Sequence, residues 1–143
     1  MARQKLPHSK NWRERKIEDW NATTFHEYLK HKHQERFNTP YRAGNIRGQN
    51  TQIKNYYEQY GKEETKEFID LCFKHYKDYH GYNSLNFFYM IGKMYYLMGK
   101  AQKIVEHKRK VEQYKRRQQV KEIVEDKQKD KVADILKYWG IEQ

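Results

Sequence analysis

The sequence predicts an all-α protein: a four-helix core, a long basic C-terminal helix and a basic N-terminal arm. Three observations carry this expectation. Apolar residues recur at helical spacing in segments punctuated by Gly, Pro and Asn. Residues 100–138 contain neither Pro nor Gly and are dominated by long-chain helix formers. The 143 residues are only 36% hydrophobic but 15% aromatic, with 13 tyrosines, too many rings for a disordered polyelectrolyte. Tyrosine is therefore expected to supply much of the core that Leu and Val usually fill. A chain of this length fits one domain and can bury roughly 68% of its unfolded surface. Three regions follow: an arm over 1–22, a helical core over 23–99, and a basic helix over 100–143 that ends in an apolar segment.

The arm has no clean apolar period, and Pro7, Ser9 and Asn11 favour an extended chain that turns helical between Trp12 and Trp20. Thr24 and Glu27 have the spacing of a capping box, and Phe25, Tyr28 and Leu29 begin an apolar stripe, so a first helix is expected from Phe25 to Phe37. Residues 38–48 (NTPYRAGNIRG) read as a loop. A second helix is expected from Gln49 to Tyr60, with Ile53, Tyr57 and Tyr60 on one side and Gly61 as its stop. Phe68, Ile69, Cys72, Phe73 and Tyr76 mark a third helix, closed by Gly81. Ser84 is the expected N-cap of a fourth, Leu85–Met98, whose run LNFFYMIGKMYYLM is apolar on nearly all sides and so belongs at the centre of a bundle. Leu85, Phe88, Ile91 and Tyr95 share one side of it, and Phe88→Ala is expected to cost about 3–5 kcal/mol. Gly92 costs about 1 kcal/mol relative to Ala, which implies a neighbour packed close against it. The last helix, Lys100 to Tyr138, would be about 57 Å long. Its apolar stripe is thin and interrupted between Tyr114 and Val120, too short for the three or four heptads of a sustained coiled coil. Val132–Trp139 is expected either to fold back on the bundle or to pair with another chain.

Charge is unevenly distributed. Thirty Lys and Arg oppose 19 Asp and Glu, a net charge of +11. Between Lys100 and Lys121 nine cations face only Glu106 and Glu112, and the first sixteen residues hold six cations against Glu14. Cations gathered on one surface release counterions from a phosphate backbone, so a nucleic acid is the expected partner, and the charge does not say which one. The candidate contacts are Lys108, Arg109, Lys110, Lys115, Arg116 and Arg117, read as a stripe because Lys108/Lys115 and Arg109/Arg116 repeat at a spacing of seven. Arg42, Arg47 and Tyr41 join them from the loop, where guanidiniums and exposed amides suit phosphate and the ring suits an unpaired base. Arg13, Arg15 and Lys16 repeat the basic-aromatic mixture beside Trp12, which otherwise serves to dock the arm.

Other chemistries lack their residues. A helix-turn-helix over Ile53–Lys77 would put Glu63, Glu64, Glu67 and Asp70 near the start of its recognition helix, facing phosphate. His26, His31 and His33 are spaced by five and two, off one helical face, and no Cys or carboxylate cluster completes a metal site. Cys72 and His75 resemble a nucleophile pair only in spacing, since Cys72 lies in the apolar stripe. No phosphate-binding or metalloprotease motif occurs, so neither catalysis nor a cofactor is expected. The single cysteine fits a reducing compartment. No apolar run approaches a bilayer span, the N-terminal segment lacks a signal-peptide core, and Glu14, Glu18 and Asp19 argue against a transit peptide. A cytoplasmic location without membrane contact follows.

The run YGKEETKEFIDLCFKHY, followed by GYNSLNFFYM, resembles small helical bacteriophage proteins and the replisome-organiser or DnaD-type primosome domains. There, a helix ending in Tyr-Gly precedes a Glu/Lys-rich helix and an aromatic one. The resemblance covers residues 53–98. DnaD-type domains carry Tyr, Ile and Trp at successive spacings of four; here Tyr82, Asn86 and Met90 hold those positions, and Tyr82 alone matches. The resemblance implies DNA binding, a role for Tyr82 in it, and a basic tail after the helical core. The alternative expectation is a structural or assembly protein that uses the long helix for protein contacts.

Overall fold

The computed structural model describes residues 5–139, and these form five α-helices and one 3₁₀ turn, with no strand among them. The chain divides between Val105 and Glu106 into two units.

In the first unit the arm is held in place by its aromatic residues. Trp12 meets the rings of Trp20, Tyr28 and His31 at centroid distances of 6.2, 5.0 and 5.0 Å. The 3₁₀ turn Ile17–Asp19 then leads into Trp20, which is buried against Phe25. Helix α1 spans Ala22–Phe37 and starts earlier than expected, because Asn21 is the N-cap: its side chain accepts from the Thr24 amide, and the Thr24 hydroxyl accepts from the Asn21 amide. The expected capping box was therefore shifted by one turn, with Thr24 its third helical residue and not its cap. α1 ends at Asn38, whose φ of 54° is the left-handed conformation Asn tolerates.

Asn45 caps α2 (Ile46–Tyr60) by accepting from the Gly48 amide at 3.1 Å, so the loop ends at Asn45 rather than at residue 48. Gly61 separates α2 from α3 (Lys62–His75) by one residue: its amide closes α2 on the Tyr57 carbonyl, and its own carbonyl receives the Thr65 amide and hydroxyl. That double duty needs a φ of 105°, which a side chain rarely adopts. On α3 the predicted stripe is buried at Phe68, Ile69, Cys72 and Phe73, joined by Leu71 and Thr65, while its fifth member, Tyr76, is the half-buried C-cap, because α3 ends at His75 and not at Gly81. Glu63 and Glu64 in its first turn and Lys74 and His75 in its last oppose the helix dipole favourably. α1, α2 and α3 pack on one another, and α4 packs on α2 and α3.

The fourth helix differs most from expectation. α4 spans only Phe87–Lys93, capped by Asn86 and not Ser84, and the chain turns through Met94–Tyr96 before α5 (Leu97–Tyr138) begins. Its run is one-sided. Leu85, Phe87, Met90, Met94, Leu97, Met98, Ala101 and Val105 are buried, whereas Phe88, Tyr89, Tyr95 and Tyr96 are exposed. Phe87, not Phe88, is the buried ring, and an added Cβ at Gly92 meets nothing within 4 Å. No packed neighbour accounts for that glycine.

In the second unit, residues 106–138 continue α5, and every described residue from Glu106 to Trp139 except the half-buried Leu136 is exposed. Among the described residues no helix is long and apolar enough to cross a membrane.

Candidate nucleic-acid interface

The six cations predicted on the basic helix are all exposed. At 100° per residue, the pairs Lys108/Lys115, Arg109/Arg116 and Lys110/Arg117 lie about 100° apart around the axis. They form three stripes, not the single stripe expected. Two of the cations are held by acids one turn earlier: Lys110 by Glu106 at 3.1 Å and Arg116 by Glu112 at 2.8 Å. Exposed pairs of this kind contribute little and exchange readily for phosphate. Lys115 and Arg117 make no ion pair among the described residues.

In the loop, Arg42 and Arg47 are exposed and their guanidiniums make no hydrogen bond or ion pair among the described residues. Arg47 lies in the first turn of α2, where it borders a shallow depression with Asn50, Thr51 and Lys54. Tyr41 is different. Its hydroxyl donates to the buried Gln49 and accepts the Phe87 amide at 3.0 Å, while Gln49 donates to His26 Nδ1 at 2.8 Å. Burial pushes the Tyr41 phenol well above its usual pKa. Tyr41 is half-buried, and its hydroxyl is committed to buried polar groups of the first unit.

In the arm, Arg15 is likewise bonded within the chain. Arg15 donates to the carbonyls of Pro7 at 2.8 Å and Asp19 at 2.7 Å, and its own carbonyl accepts from the Trp20 indole at 3.1 Å. It ties the arm to itself. Arg13 covers the Trp12 ring at 4.4 Å and approaches His31 Nδ1 at 3.3 Å, whereas Lys16 is exposed. The three histidines each serve a different neighbour. His26 bonds Gln49, His31 faces Glu35 at 3.1 Å, and His33 is fully buried between the Thr39 carbonyl at 2.9 Å and the Leu85 amide at 3.2 Å. That pair of partners fixes the His33 proton on Nδ1. Cys72 is fully buried, and burial pushes its thiol up, away from the reactive thiolate.

Tyr82 is exposed and stacked on His80 at 5.2 Å. The flanking stretches of chain form a cleft of about 260 Å³ lined by His75, Tyr76, Lys77, Tyr79, Tyr89, Lys93, Met94 and Tyr96. Sequence reasoning missed it. The signal was present in the density of tyrosines between Tyr76 and Tyr96, but periodicity placed Tyr76, Tyr89, Tyr95 and Tyr96 in helices of the core and gave Tyr79 no role. Compared with known proteins, the chain matches no family model, no curated protein and no solved structure.

Proposed function

We propose that the protein is a non-enzymatic, cytoplasmic nucleic-acid-binding accessory protein of the kind bacteriophages encode, acting on DNA in replication or transcription. The observation that carries the proposal is the helical segment Glu106–Lys121, which sets seven cations against two acids with every side chain exposed. Three stripes of cations suit a helix lying in a groove, where phosphates flank it on both sides, better than one resting on a single strand. Arg42, Arg47 and Lys16, exposed on the first unit, add further phosphate contacts. The resemblance of residues 53–98 to replisome-organiser domains points the same way.

The test is a titration of a labelled duplex over a salt series. Replacing Lys108, Arg109, Lys115 and Arg116 together with Gln should weaken binding and flatten the slope of log K against log salt by about 0.9 per lost contact, several units in all. Unchanged affinity and slope would remove this helix from the interface.

A second reading, assembly through protein contacts, is favoured by the exposure of Val132, Ile135 and Trp139, at 55%, 55% and 71%. Beyond Lys121 the chain is nearly balanced, with four cations against six acids, so self-pairing there meets little repulsion. Sedimentation over a concentration series would show concentration-dependent dimers that Val132→Asp with Ile135→Asp abolishes.

A further inference from the structure

We propose that the first unit carries a second, distinct contact surface: the cleft of Tyr76, Tyr79, Tyr89 and Tyr96 with Lys77 and Lys93 takes the unpaired bases of a single-stranded nucleic acid. This rests on the nucleic-acid-binding reading above and assigns the strand type and the residues that read it.

The first argument is the location of the rings. Tyr79 is 84% exposed and Tyr96 64% exposed, and neither hydroxyl is bonded among the described residues. Isolated exposed apolar residues are ordinary. Here, four tyrosines and a methionine line one depression, and Tyr95 and Tyr82 are exposed nearby in the chain. Tyr76 and Tyr89 meet edge to face at 5.5 Å, a contact that holds two walls of the cleft at a defined angle.

The second argument is charge. The lining includes Lys77, Lys93 and His75 and no carboxylate. The acid nearest in sequence, Asp78, acts on the lining ring Tyr76, whose phenol burial first and this carboxylate second push up, and its two oxygens accept the amides of Tyr82 at 3.0 Å and Asn83 at 2.7 Å. Aromatic faces beside cations that outnumber the nearby acid are the combination that binds single strands, because every base has a face to stack and every nucleotide a phosphate. A duplex hides those faces. A protein partner would be expected to match the cations with acids and to need a broader apolar floor.

The third argument is pre-organisation. The segment between α3 and α4 is fixed by the Asp78 bonds, by the positive φ of Gly81 and Asn83, and by the Thr39 hydroxyl donating to the Asn83 carbonyl at 3.0 Å. Tyr79 therefore stands out from a braced loop, and ordering it on binding costs less than it would in a free one. At about 260 Å³ the cleft is smaller than the roughly 300 Å³ at which sites for whole small ligands begin.

The experiment measures the affinity of the full chain for oligo-dT of about 20 nucleotides, longer than one site, and for a duplex of the same length. Wild type is compared with Tyr79→Ala/Tyr96→Ala and Tyr79→Phe/Tyr96→Phe, each checked for wild-type thermal unfolding, which these exposed positions should preserve. The alanine variant should lose about 10-fold or more on the single strand and keep its duplex affinity, while the phenylalanine variant, retaining both rings, stays at wild type. Unaltered single-strand binding by the alanine variant would overturn the assignment while leaving duplex binding by the basic helix untouched; equal losses on both probes would overturn it as well, since the rings would then not distinguish bases from backbone. If wild type binds neither probe, the nucleic-acid reading itself fails and takes this surface with it.

Discussion

At the scale of single residues, neighbouring rings in this sequence have opposite roles. Phe87 is wholly buried beside Tyr56, at 5.6 Å between centroids, whereas Phe88 is 37% exposed. Phe87→Ala should cost about 3–5 kcal/mol and Phe88→Ala clearly less, the reverse of the sequence expectation; denaturant unfolding of both variants measures the difference. His33→Leu should cost about 1–3 kcal/mol, since it strands the Thr39 carbonyl and the Leu85 amide in the interior. His26 supplies a pH dependence. Burial lowers its pKa first of all, opposed by Glu27 and reinforced by Lys30 and Lys10. Its folded pKa lies below the unfolded value near 6.5, so between the two the unfolded chain binds more protons and stability falls as pH falls. The contribution is complete above about pH 6.5 and lost as pH drops through the folded pKa. Melting temperature should therefore decline less from pH 7.5 to 5.5 in His26→Gln than in wild type.

At the scale of elements, caps decided where helices begin. Asn21, Asn45 and Asn86 each accept an amide three residues on, and each start differs from the one read from apolar spacing alone. A cap is chosen by backbone geometry among several adjacent Ser, Thr and Asn, and all were compatible with the pattern. The glycines separate in the same way. Gly61→Ala should destabilise by about 1–2 kcal/mol from its positive φ, and the new Cβ would also meet the Glu64 carboxylate. Gly92→Ala should stabilise by about 0.5–1 kcal/mol, because the helix gains propensity and the space is open. Thermal unfolding of the two variants should move in opposite directions.

At the scale of the whole molecule, every buried hydrophobic side chain among the described residues lies between Trp20 and Val105, while the densest cationic run lies beyond Val105. Neutralising Lys108, Arg109, Lys115 and Arg116 should therefore leave the melting temperature within the scatter of ordinary surface substitutions, about 0.5 kcal/mol, even as DNA binding weakens. By itself the sequence determined the all-α class, the stripes of α1 to α3, the break at Gly61, the uninterrupted C-terminal helix and the position of its charge. These follow from local rules, spacing along one helix and the conformational limits of Gly and Pro, that need no knowledge of neighbours. Only the tertiary structure decided that Tyr41 and Arg15 bond the interior and the arm, that Phe87 and not Phe88 is covered, and that the tyrosines from Tyr76 to Tyr96 open onto a cleft. A ring, a hydroxyl or a guanidinium reads the same in sequence whether it is buried or exposed. Which it becomes depends on the partner that folding brings to it from residues far along the chain, as Phe87 is brought to Tyr41.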